Sequence, residues 1–106
     1  MPKFLIKASY TTEGVKGLLK DGGSGRRKAV EKLVNSVGGK LDGVWFAFGD
    51  DDVFVLGDLP DNASAAAVSL SVSASGAVRC TTVPLLTVEE MDAATKKSVD
   101  YRKPGA

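Results

Sequence analysis

The sequence predicts an α+β domain, a four-stranded antiparallel sheet carrying its helices on one face, on three observations. Strand-like segments lie near both ends, one alternating at Phe4–Tyr10 and one weighted by the β-branched Thr81, Thr82 and Val83 at Val78–Leu86. Helical spacing of apolar residues fills Thr11–Val37 and recurs after Asp61. Between them, two apolar runs flank Gly49-Asp50-Asp51 as a hairpin.

In strand one, Phe4, Ile6, Ala8 and Tyr10 alternate with Lys3, Leu5, Lys7 and Ser9. Thr11 and Thr12 offer hydroxyl caps and Glu13 suits a first helical turn, so a short helix with Val15, Leu18 and Leu19 as its apolar face is expected to about Lys20. Asp21-Gly22-Gly23-Ser24-Gly25 is expected to break it. Ser24 then caps a second helix with Val30, Leu33, Val34 and Val37 in phase, ended by Gly38-Gly39.

The hairpin arms are Leu41–Phe48 and Val53–Leu59, and both are apolar on both faces. One layer of helices covers one side of a sheet, so the other side calls for a further cover, most economically a partner subunit. After Pro60, Asp61 or Asn62 can cap a helix over Ala63–Ser75. The alternation in Val68–Ser75 also fits a strand, but the cap, the Ala65-Ala66-Ala67 run and Gly76 favour a helix, with Ala63, Ala67, Leu70 and Ala74 as a stripe. Val78–Leu86 is the last strand. Thr87-Val88-Glu89-Glu90 is a capping box that opens a final helix with Met91 and Ala94 turned inward, and Ser98–Ala106 is a polar tail. The order is a ferredoxin-like βαββαβ with a split first helix and an extra C-terminal helix.

At 106 residues the chain fits one domain, residues 1–106, without repeats or linker. It has no histidine, which removes Ser-His-Asp and Cys-His catalysis, histidine metal ligands and an imidazole switch. Its single cysteine, Cys80, can form neither an internal disulfide nor a thiolate cluster and reads as a small buried residue. With 14 Lys+Arg against 13 Asp+Glu, net charge gives no case for nucleic acid or a membrane surface. No apolar run approaches the roughly 20 residues of a membrane span, and Met1–Lys7 is too soon interrupted by charge for a signal peptide. A cytoplasmic protein without cofactor or metal is expected.

Several short motifs occur in order and spacing: Tyr10-Thr11-Thr12-Glu13-Gly14, Gly22-Gly23-Ser24-Gly25-Arg26-Arg27, Phe46-Ala47-Phe48-Gly49-Asp50-Asp51-Asp52-Val53, Asp58-Leu59-Pro60-Asp61 and Ser98-Val99-Asp100-Tyr101-Arg102. Over nearly the whole chain these resemble the bacterial GYD domain family. The resemblance implies a fold like that of the dimeric α+β barrel group, in which open sheet faces pack together, and implies no particular reaction. Of the Gly-Tyr-Asp signature, Gly49 and Asp52 align while Asp51 stands at the tyrosine position.

Among candidate sites, Ser24, Arg26 and Arg27 combine a glycine-rich approach, a helix start and guanidinium groups, the components of an anion site. The competing reading is a helix–helix turn with its arginines paired to acids. The spacing fits neither a Walker loop nor a dinucleotide fingerprint. Asp50–Asp52 lacks the spacing of a calcium loop and reads as a solvated turn, with Asp52 at a strand start, where it accepts backbone N–H groups or faces a cavity. Tyr10, Lys7 and Asp52 are the candidates for acid–base chemistry, although alternation sets Tyr10 and Lys7 on opposite faces. Lys7, Arg79 and Trp45 are expected on the open face, and Tyr101-Arg102 either latches onto another subunit, closes a pocket or ends in disorder.

The leading expectation is a small homo-oligomeric binding protein, dimeric or larger, for a small anionic or aromatic molecule. The alternatives are a cofactor-independent isomerase or proton-transfer enzyme and a ligand-free assembly module.

Overall fold

The computed structural model describes residues Met1–Ala106. The chain forms β1 (Lys3–Tyr10), α1 (Thr12–Ser36), β2 (Lys40–Phe46), β3 (Val53–Asp58), α2 (Asn62–Ala74), β4 (Val78–Leu85) and α3 (Val88–Thr95). The strands lie in the order β2-β3-β1-β4, every neighbouring pair antiparallel. This is the expected ferredoxin-like topology.

The first helix departs from expectation in its continuity. Thr11 caps it, its Oγ1 accepting from the Gly14 N–H at 3.3 Å, and the helix runs to Ser36 as one element. The break expected over Asp21–Gly25 contracts to a kink at Gly22, whose φ of 71° and ψ of 172° are the only non-helical values inside α1. A glycine adopts that conformation without steric cost, and only one residue needs to leave the helical region for the axis to turn. Ser24, two residues further on, is therefore inside the helix and exposed. Val15, Leu18 and Leu19 do not form a buried face: Leu18 is half-buried, while Val15 and Leu19 are exposed. The residue buried there is Gly14, because this end of the helix sits directly on backbone.

In the hairpin, β2 ends at Phe46, two residues before the expected end of its arm, and β3 spans Val53–Asp58. Residues 47–52 turn back along β1 instead of extending the ladder. Ala47 N–H donates to the Asp52 carbonyl and Asp52 N–H to the Ala8 carbonyl, both at 2.8 Å, and the Ser9 hydroxyl donates to the Asp50 carbonyl at 2.7 Å. Phe48 is left exposed in this loop.

The ambiguous segment is a helix. Asp61 caps α2, its Oδ1 accepting the Ser64 N–H at 2.7 Å. The stripe that packs is Ala65, Val68 and Val72, not Ala63, Ala67, Leu70 and Ala74, which are exposed. Spacing of three and four is satisfied by both stripes, and the one with the larger β-branched side chains is turned to the sheet. The Ser64 bond holds the Asp61 carboxyl below its ordinary range. A folded-state pKa below the unfolded one means that the charge contributes stability above the unfolded pKa and that this contribution is lost as pH falls through the folded one. Asp61→Asn, which keeps the acceptor and removes the charge, is expected to lower the urea midpoint slightly at pH 7. The difference should close as the medium is acidified past the carboxyl's titration.

The core lies between helices and sheet: Phe4, Val34, Leu59 and Ala65 form one cluster, and Ala8, Val53 and Val55 a second. Only 11 of 106 residues are buried, because no helix covers the other face. By register and alternation that face carries Leu5, Lys7, Trp45, Phe54, Leu56 and Val83. At its edge the Lys3 ammonium contacts the Asp42 carboxylate and lies 3.0 Å from Asp58, and these two partners, Asp42 first, raise its pKa.

The final helix holds a further departure. Its capping box is complete, with the Thr87 N–H donating to Glu90 Oε1 and the Glu90 N–H to Thr87 Oγ1, each at 3.0 Å. Yet α3 buries no residue, and Met91, expected inward with Ala94, is 51% exposed. The chain leaves the sheet at Leu85, and every residue from Leu86 onward is exposed.

Candidate functional site

Beneath the helices, the two core clusters leave a cavity of about 60 Å³. Its floor is Ile6, Ala8 and Tyr10 of β1, Val44 and Phe46 of β2, Val53 and Val55 of β3, and Val78, Cys80 and Thr82 of β4. Its roof is Arg26, Val30 and Leu33 of α1 with Val68, Ser69 and Val72 of α2. The Cys80 thiol, half-buried rather than buried, lies 3.5 Å from the Ser69 hydroxyl.

Two polar atoms in this apolar lining stand out. Arg26 Nε and Thr82 Oγ1 are buried side-chain atoms with no hydrogen-bond partner. An unpaired buried donor costs about 1–3 kcal/mol, and most buried polar groups avoid this state. Arg26 is brought here by phase. It precedes Val30 by four residues and Leu33 by seven, so a helical period carries it to the apolar side of α1. Thr82 is brought by alternation with Val78 and Cys80, opposite Ile6.

The cavity adjoins two open grooves. One, of about 320 Å³, runs past Glu13, Gly14, Asp21 and Ser75 and shares Tyr10 and Arg26 with the cavity. The other, of about 430 Å³, is lined by Val15, Leu18, Gly23, Ala47 and Asp52 and shares Tyr10 and Phe46. Tyr10 therefore stands at the junction of all three spaces, with an aromatic ring beside it in Phe46 and a guanidinium across from it in Arg26.

Of the residues expected to bind an anion, only Arg26 reaches the cavity; Ser24 and Arg27 are exposed. Tyr10 and Asp52 come together, but through backbone, since the Tyr10 N–H donates to Asp52 Oδ2 at 2.8 Å. Lys7 lies on the opposite side of the sheet, in a groove of about 260 Å³ with Ser9, Asp51, Arg79 and Thr81. Asp51 and Asp52 thus part to opposite faces. The aspartate at the signature's tyrosine position belongs to the open face, and its neighbour braces the cavity side. Thr82 and Cys80 are not among the site residues expected from the sequence, where Cys80 reads only as a small buried residue. Their signal was the inward phase of β4, where a hydroxyl and a thiol replace hydrophobes.

The fold and the cavity define a ferredoxin-like α+β domain with a chamber between its helix layer and its sheet. It belongs to the GYD domain family, whose model matches residues 4–95. A comparison with curated proteins returns no match, and neither does one with solved structures. No helix is long and apolar enough to cross a membrane.

Proposed function

We propose that this GYD domain is a small homo-oligomeric binding protein that holds a small aromatic or aliphatic anion under its helices. The observation that carries the reading is the pair of unpartnered polar atoms, Arg26 Nε and Thr82 Oγ1, in an otherwise apolar chamber. A ligand with an apolar body and an acceptor head supplies what both lack. Its ring or chain packs against Val30, Val53, Val55 and Val68 and extends past Tyr10 and Phe46 into the adjoining groove, since the chamber itself is only about 60 Å³, and its head accepts from the guanidinium. The homo-oligomeric part rests on the uncovered face, where Trp45, Phe54, Leu56, Leu5 and Val83 form a continuous apolar band over four strands.

Benzoate combines the ring and the carboxylate and is the probe of choice. Titrated into ¹⁵N-labelled protein, it is expected to shift the Arg26 side-chain N–H resonance and the amide resonances of Thr82 and Tyr10, with saturation in the millimolar range or below. Acetate, which lacks the apolar body, should move them far less. Equal responses to the two anions, or shifts confined to surface lysines, would reject the chamber as the binding site.

A further inference from the structure

We infer that the ligand of the chamber is an elongated monocarboxylate whose apolar tail leaves by the groove over Phe46, and that Gly23 is the residue that keeps this exit open. The inference rests on the chamber reading above and deepens it. The head is held as before, and what is added is the length of the body and the position that selects for it.

The chamber, of about 60 Å³, is smaller than either groove beside it, of about 320 and 430 Å³. A body of more than a few atoms held at Arg26 therefore extends into one of the two, and their chemistry differs. The groove past Glu13 and Asp21 carries two carboxylates without an ion-pair partner, since the ion pairs of the chain are those of Lys3. An apolar tail laid there takes water from charged groups and gives them nothing in return. The other groove holds one carboxylate, Asp52, whose Oδ2 already accepts the Tyr10 N–H at 2.8 Å. The rest of its lining is apolar, and Val15 and Phe46 are each 43% exposed there. A tail along these side chains covers surface that the chain itself leaves to water.

Gly23 lines this groove and has no structural reason to be glycine. Gly22 needs its positive φ for the kink, whereas Gly23 has helical backbone angles, and a Cβ built on it would lie 3.6 Å from Phe46 Cε2, an ordinary van der Waals contact. Within a helix glycine is a poorer choice than any residue but proline. What the missing side chain provides is space beside the Phe46 ring. A β-carbon fits that space, and a branched four-carbon side chain fills it.

Straight-chain monocarboxylates from butanoate to octanoate test this, with affinities read from the Arg26 side-chain N–H and Thr82 amide resonances of ¹⁵N-labelled protein. In the wild type octanoate is expected to bind at least about tenfold more tightly than butanoate, as four methylenes become partly buried. In Gly23→Leu that gain should fall to within about twofold while butanoate binds as before. Leucine favours the helix, so the melting temperature should hold or rise. Ala47→Leu narrows the same groove from the hairpin side and is expected to act alike, and Gly17→Leu, in the groove past Glu13 with nothing within 4 Å of its Cβ position, should keep the full gain. If benzoate and butanoate bind in the chamber but affinity does not rise with chain length, the tail is overturned and the chamber stands. A gain that survives Gly23→Leu and Ala47→Leu, or one lost in Gly17→Leu instead, also overturns the exit over Phe46. Should none of these acids move the Arg26 and Thr82 resonances, the chamber reading falls and the tail with it.

Discussion

Alanine at Gly14 is expected to destabilise the domain by about 3 kcal/mol or more, lowering the melting temperature by upwards of about 10 °C. Alanine's better helix propensity offers about 1 kcal/mol in the other direction, and the contact geometry decides the sign. A Cβ built on Gly14 falls 2.0 Å from the Ala77 carbonyl oxygen and 2.9 Å from Tyr10 Cδ1. The first neighbour is backbone, which no rotamer change moves. It is also held in place, since the Thr11 N–H donates to that same carbonyl at 3.0 Å and the Thr11 hydroxyl to the Gly76 carbonyl at 2.9 Å. Relief must come from lifting the start of α1, which displaces Tyr10 from the junction of the cavity and its grooves. Gly17→Ala is the matched control, because nothing lies within 4 Å of its Cβ position, and it should be neutral or mildly stabilising. Denaturant midpoints for the two variants measure the contrast. Equal midpoints would mean that α1 is not seated on Ala77.

Arg26→Met is expected to do the reverse to stability while removing binding. Methionine follows the aliphatic path of the arginine stem and carries no buried N–H, so the ligand-free protein should gain about 1–2 kcal/mol, roughly 5–10 °C in melting temperature. The same change leaves an anionic head group without its donor. Native mass spectrometry of protein isolated gently from cells, or the benzoate titration, should therefore show occupancy in the wild type and none in the variant. Greater stability with lost occupancy is the signature of a residue kept for its ligand. A variant that is less stable than wild type would mark Arg26 as a structural residue whose guanidinium is satisfied by solvent at the cavity mouth.

The elements were legible because local signals agreed with tertiary ones. The Asp61 cap and the Thr87 box each rest on residues three positions apart, strand one on a simple alternation from Phe4 to Tyr10, and each forms as the spacing predicts. What local pattern could not rank was which of two equivalent stripes packs. Ala63/Ala67/Leu70/Ala74 and Ala65/Val68/Val72 both satisfy helical periodicity, and only the sheet beneath selects the second. The break at Asp21–Gly25 shrinks to Gly22 for a related reason: a glycine-rich run permits a turn, whereas a turn of the helix axis needs one residue. The site was half legible. Arg26 attracted notice for its place near a helix start, but the property that matters is its phase with Val30 and Leu33, which sets it apart from the adjacent and exposed Arg27. Met91 was expected inward because a capped amphipathic helix ordinarily has something in its own chain to cover.

The strand order also dictates when the domain can come into existence. β1 is the first strand synthesised and one of the two central ones, paired to β3 on one side and to β4 on the other. Its last ladder partners, Leu85 opposite Lys3 and Pro84 opposite Phe4, are among the last residues of the sheet to be made. The β2–β3 hairpin closes a short loop and can form early, whereas the central strand must wait for almost the whole chain. Loop-closure entropy over that separation slows the step. Until β4 arrives, Phe4, Ile6 and Ala8 have an unpaired edge beside them. A nascent or truncated chain ending before Val78 therefore presents a sticky, half-built sheet, and the sequence between α2 and Leu85 acts as the stitch that closes it.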